Sequence, residues 1–140
     1  MIASTGRRHR ERGSTLLLFP VAILVVTLLS AIAVDLSNVH LARRELLRMV
    51  QQSADDAAMM RSRNQPDEVD LASASALVRA RLRIAPARTS ITSVRVERGP
   101  RPQSVRVTAT ATVTYVFGVV SPDRRSTDIE VEAIGEQVMS

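Results

Sequence analysis

Residues 14–34, STLLLFPVAILVVTLLSAIAV, run for 21 positions without a charge. As a helix such a run is about 30 Å long, the thickness of a bilayer's hydrocarbon core. A helix satisfies its own backbone polar groups, so it can cross lipid as a single element. Pro20 falls near the start, where a missing N–H costs least. The helical pattern then continues. Val39, Ala42, Leu46, Val50, Ser53, Ala57 and Met60 recur at spacings of three and four, the stripe of an amphipathic helix. Arg44, Glu45, Arg48, Asp55 and Asp56 fall off that stripe, and no Gly or Pro interrupts Val21 to Asn64. One continuous helix is expected from about Ser14 to Met60, on the order of 70 Å long.

The polar stretch RSRNQPDE, residues 61–68, breaks the pattern. Pro66 followed by Asp67 suits the start of a second helix. Leu71, Ala74, Val78 and Leu82 make its apolar stripe, to about Ile84, and Pro86 stops it. Arg79, Arg81 and Arg83 favour its C-terminal turn through the helix dipole. From Thr89 the period changes to two. In Val105 to Phe117 the odd positions are Val105, Val107, Ala109, Ala111, Val113, Tyr115 and Phe117. Arg106, Thr108, Thr110, Thr112 and Thr114 alternate with them, as in a strand with one apolar face. Ile91 to Glu97 reads as a preceding strand, with GPRPQ as the hairpin turn. Residues 121–125 read as a loop. Ile129, Val131 and Ala133 mark a third strand. The expected class is α+β. A long N-terminal transmembrane and amphipathic helix and a short second helix precede a three-stranded antiparallel sheet, a pilin-like order. The apolar face of the sheet needs a cover, and the helical stripes are the candidates.

Charge then sets the orientation. Arg7, Arg8, Arg10 and Arg12 crowd the short flank before the apolar run, whereas after it the first charge is Asp35 and the first arginine Arg43. That asymmetry predicts a cytoplasmic N-terminus and an exported C-terminus. The organisation expected is a basic leader over 1–13, a membrane helix over 14–34, a helical stalk over 35–64 and a small exported α+β domain over 65–140. The net charge of +5 comes mostly from the leader: after Gly13 there are 15 Arg against 13 acids, a balance of +2. The remaining arginines are scattered and aromatics are 2 % of the chain, so nucleic-acid binding is not expected. Without cysteine there are no disulfides and no thiolate metal sites.

Candidate chemistry is sparse. His9 and His40 are the only histidines, one in the leader and one on the stalk. Asp67, Glu68 and Asp70 read as helix-start charges, with weak Ca²⁺ binding as the alternative. Asp55 and Asp56 read as a solvated helix face, with a partner contact as the alternative. Asp35 marks the membrane exit or meets an assembly partner. The strand Ser and Thr residues lack an accompanying base, and the glycines are too scattered for a phosphate loop. No catalytic constellation, cofactor or small-molecule substrate is expected.

Several short features occur in a fixed order: Arg12-Gly13-Ser14, the apolar run, Val34-Asp35, Arg43-Arg44 with Leu46, and Ala54-Asp55-Asp56-Ala57-Ala58. Over residues 12–60 this resembles the N-terminal segment of TadE/TadG-like Flp pilus-assembly proteins, a branch of the type IV pilin and pseudopilin architecture. The resemblance implies a non-enzymatic, membrane-anchored bacterial minor pilin or assembly component. It would meet other pilus or secretion-machine subunits through its N-terminal helix, with prepilin processing between Gly13 and Ser14. The stripe offered for packing against partners is Asp35, Val39, Ala42, Leu46, Val50 and Ala57. Many pilins of this pathway carry a glutamate five residues past the processed glycine; this chain has Leu18 there. Longer relatives of the TadG kind carry a large further exported domain, for which this chain is too short. Two other expectations compete. Ala31-Ile32-Ala33 has the A-x-A form of a signal-peptide cleavage site, which would release a secreted protein. A membrane-tethered adaptor or regulator is the other, with a leader of 13 residues as its cytoplasmic part.

Overall fold

The computed structural model of the chain describes residues 12–60, 68–84, 89–101, 103–119, 123 and 125–136. Helix α1 spans Arg12–Ala58 as a single element of 47 residues. Its lower half, through Ser30, exposes every described side chain; Leu18, Phe19, Leu24 and Val26 are among the most exposed. Thr27 and Ser30 donate their hydroxyls to the carbonyls of Ile23 and Val26 one turn back, so among the described side chains of this half neither hydroxyl projects unpaired.

The upper half has a different role. Ala42, Leu46, Val50, Ser53, Ala54, Ala57 and Ala58 are buried against a three-stranded antiparallel meander. Its strands are β1 (Thr89–Arg98), β2 (Ser104–Thr114) and β3 (Ser126–Glu136), in the spatial order β1-β2-β3. Val105, Val107, Ala109, Ala111 and Val113 form the covered face of the central strand, joined by Ile129, Val131 and Ala133 from β3. Helix α1 lies over β2 and β3. Helix α2 (Leu71–Arg81) fills the remaining corner against β1 and α1 with Ala74, Val78 and Leu82. The upper half of α1 and the elements after residue 68 share one core. From Asp35 onward α1 is the cover that the sheet requires.

The core is made of small aliphatic side chains, which lets the helix come close. At Gly135 on β3 the approach leaves no room for a side chain: a methyl group at that position would land on the backbone carbonyl of Ala54. Leu46, Val50, Val78, Val105, Val107 and Val113 are the largest apolar side chains shielded completely. Each contributes about 1.5–3 kcal/mol by burial.

Three element boundaries depart from the sequence reading, and β1 carries an irregularity. The central strand ends at Thr114, so Tyr115 and Phe117 leave the alternation, and Phe117 is 60 % exposed. The second helix begins at Leu71, with Asp70 rather than Asp67 at its start. The Asp70 carboxylate accepts the N–H groups of Ala72 and Ser73 and the Ser73 hydroxyl. That helix stops at Arg81, with Leu82 at its C-cap and short of Ile84. Strand β1 carries an irregularity between Ile91 and Ser93 that puts Val94 and Val96, with Ile91, on the covered side. Residues 61–67, which contain Pro66 and Asp67, lie outside the described residues.

Candidate functional site

Asp35 is fully buried although it sits one residue beyond the apolar run. Its carboxylate accepts three backbone N–H groups from the loop after β2. Oδ1 takes Val116 at 2.7 Å and Phe117 at 2.9 Å, and Oδ2 takes Val119 at 3.2 Å. Successive N–H groups can converge on one anion only if the loop curls back on itself. Gly118 permits this with φ at +69°, in the left-handed region that glycine enters without steric cost. Burial by itself would raise the Asp35 carboxyl. The amides of Phe117, Val116, Val119 and Gly118 outweigh that and hold its pKa below the ordinary aspartate value. Asp35 is therefore an ionised fastener between α1 and the sheet.

Other cross-links run along the same line of contact. One turn further up the helix, the Asn38 side chain donates to the carbonyl of Thr114, the last residue of β2. Three turns beyond that, Gln51 donates to the carbonyl of Ile134 on β3. Near the top of the helix Ala54 abuts Gly135, which pairs with Val105 at the start of β2. Strand β2 thus runs antiparallel to α1, from the level of Ala54 down to Asn38. The loop over 115–119 is the end of the sheet nearest the apolar half of the helix, and Asp35 holds it there.

The residues expected to pack on partners are placed within the chain itself. Ala42, Leu46, Val50 and Ala57 are buried against the sheet and α2, Val39 packs partly buried against the same core, and Asp35 holds the loop. Apart from part of Val39, their side chains are shielded from solvent. Asp55 and Asp56 are half-buried rather than solvated. Asp55 accepts from Gln51, and Asp56 pairs with Arg81 at 2.6 Å, tying α1 to α2. Glu68 pairs with Arg98 at 3.0 Å, and the Asp70 N–H donates to the carbonyl of Met60. With Asp70 capping α2, Glu68 and Asp70 are both engaged in holding the fold, and Asp67 lies outside the described residues. His40 is exposed on α1. Arg7, Arg8, His9 and Arg10 lie outside the described residues, whereas Arg12, Gly13 and Ser14 are helical at the start of α1.

The uncovered face of the sheet is polar. Thr112 donates to Asp128 at 2.6 Å, Arg106 pairs with Glu132 at 3.2 Å, and Arg101 pairs with Glu136 at 2.7 Å. Exposed pairs of this kind are worth about 0.2–1 kcal/mol each. Among the described residues no group of three or more His, Cys, Asp or Glu could hold a metal ion. Comparison of the chain with protein-family models, with curated proteins and with solved structures finds no match.

The role of Asp35 was missed by sequence reasoning. The available signal was an isolated acid next to an apolar run, together with an uncharged aromatic segment containing a glycine, Tyr115 to Val119, some eighty residues later. Nothing local connects the two.

Proposed function

We propose that the chain is a membrane-anchored structural subunit: a minor pilin-like or assembly component of the TadE/TadG kind, serving a bacterial Flp pilus or a related secretion machine. The observation that carries this reading is the division of α1. From Leu18 to Ser30 one helix presents an uncharged, predominantly apolar surface that is exposed on every side. Its second half is the spine of a small sheet domain. A helix that is predominantly apolar and uncovered by protein on every side belongs in lipid, and Arg7, Arg8, Arg10 and Arg12 favour keeping its start in the cytoplasm. The order of short motifs from Arg12 to Ala58 supports the family.

Leu18 refines the role. The pilin glutamate at that place is thought to meet the N-terminal amine of a neighbouring subunit within the membrane, where an unpaired charge is costly. Leu18 removes both the cost and the pairing. The subunit therefore acts at low copy or in assembly and does not form the filament shaft. Its apolar half can still associate with partner helices through small residues such as Ala22, Ser30, Ala31 and Ala33. Sequencing the N-terminus of the mature protein tests the reading: a start at Ser14 indicates prepilin processing, a start at Val34 a cleaved signal peptide, and an intact start a simple anchor. Deletion should impair pilus assembly while the filament bulk consists of another protein. Purified pili made mainly of this chain would contradict the proposal.

A further inference from the structure

Three features of the described residues stand outside the role just proposed: the charged outer face of the sheet, a shallow groove between α2 and β1 lined by Arg79 and Arg83, and the loop held by Asp35. The loop carries the argument furthest. Its backbone amides and the carboxylate satisfy each other, so it presents apolar side chains to the outside in place of polar backbone. Phe117 is 60 % exposed and Val116 is 39 % exposed. Val34 and Leu36, which flank Asp35 on the helix, are also exposed. These four side chains surround the point where α1 leaves its apolar half.

We infer that the loop over 115–119 is a second membrane contact, which seats Val116 and Phe117 in the interfacial region of the outer leaflet beside the point where α1 emerges. This rests on the membrane-anchor reading of α1 and adds to it a fixed posture of the domain on the bilayer.

The level of the loop follows from its hydrogen bonds. Asp35 follows the apolar run directly, and contacts of 2.7 and 2.9 Å hold the Val116 and Phe117 backbones at its height. Strand β2 descends toward the apolar half of α1, and the loop that follows it is held at Asp35, with Arg125 beside Tyr115 at the same end of the sheet. The chemistry is that of an interfacial belt. Aromatic side chains concentrate at the two boundaries of a bilayer. The chain has three aromatics: Phe19 stands near the start of the apolar run, and Tyr115 and Phe117 are brought to its other end. The sequence from Val107 to Pro122 contains no charge, and Asp123, Arg124 and Arg125 follow it. An apolar tip followed by arginines suits a surface that is apolar below and phosphate-bearing above. Burial of the Asp35 charge fits the same location. Near lipid both a bare carboxylate and bare amides would be costly, and the hydrogen bonds between them leave neither bare.

Single tryptophan probes test the inference, because the chain has no Trp. The full chain is reconstituted in phosphatidylcholine–phosphatidylglycerol vesicles as three variants: Phe117→Trp, Leu24→Trp within the apolar run, and Glu130→Trp on the exposed face of β3. Emission is read with quencher groups placed shallow or deep in the acyl chains. The expected result is a blue-shifted Phe117→Trp signal quenched by the shallow label, a Leu24→Trp signal quenched by the deep label, and an unquenched, water-like Glu130→Trp signal. Adding Asp35→Asn to Phe117→Trp should shift its emission to the red and relieve quenching. A Phe117→Trp signal that matches Glu130→Trp while Leu24→Trp remains quenched would overturn the loop contact and leave the anchor standing. Loss of quenching at Leu24→Trp as well would overturn the anchor and the loop contact together.

Discussion

The carboxylate of Asp35 accepts the backbone N–H of Phe117 at 2.9 Å across 82 residues of chain. That contact, with its neighbours at Val116 and Val119, joins the start of the folded part of α1 to the foot of the sheet. Removing the charge should release the loop before it unfolds the domain. In Asp35→Asn, hydrogen exchange at Val116, Phe117 and Val119 should quicken by on the order of tenfold or more, the usual cost of losing a charge-assisted hydrogen bond. Exchange within β2 should change much less. Unaltered protection at these three amides would refute the fastener.

The same contact predicts an acid limit. Asp35 has a folded pKa below its ordinary value, so its stabilisation is fully present above the unfolded pKa, about 3.9. It is lost as the pH falls through the folded pKa. Tyr115, the only tyrosine, lies in this loop and reports locally. Its fluorescence should be constant from neutral pH to about the unfolded pKa and change only below that, and the change should be absent in Asp35→Asn. Asp70 is shifted the same way, first through the Ser73 hydroxyl and then the Ser73 amide, but it acts on α2, remote from this probe.

Gly118 separates backbone geometry from space. Nothing lies within contact of a Cβ there, yet φ is +69°. Gly118→Ala should therefore cost about 1–2 kcal/mol, the penalty of the left-handed region for an L-residue. Gly118→Asn should cost less, since Asn enters that region more readily. Equal stability of the Gly118→Ala and Gly118→Asn chains in thermal unfolding would count against the loop conformation.

Gly135 presents the opposite case, with an extended backbone and no space. In Gly135→Ala the methyl meets the carbonyl of Ala54, which is backbone and cannot swing aside. Overpacking of this kind costs about 1–3 kcal/mol, read as a lower unfolding midpoint of the detergent-solubilised chain.

Leu46 tests the covered stripe. Leu46→Ala should cost about 2–5 kcal/mol through the cavity it leaves. Leu46→Asp should cost more, because it buries an unpaired charge. Glu45→Gln on the exposed side should do little. Equal tolerance of Leu46→Asp and Glu45→Gln, measured by limited proteolysis, would refute the packing.

The sequence by itself determined the elements and their faces. Twenty-one uncharged residues, a stripe at spacings of three and four, and a switch to period two at Thr89 were enough for the α+β class, the helix–helix–sheet order and the buried positions Ala42, Leu46 and Val50. These are local signals, because periodicity follows from the geometry of each element. The ends of elements were less legible. Asp70 rather than Asp67 caps α2, and β2 releases Tyr115 and Phe117, because caps and strand ends depend on what the neighbouring backbone offers. Only the tertiary structure decided the partner of Asp35. Alone, that residue is an acid beside an apolar run, and solvent would satisfy it as well as a loop would. Once β2 descends along α1, the curl at Gly118 brings converging amides to the same buried point. Carboxylate and amides then lose water together, and each becomes the other's replacement for it.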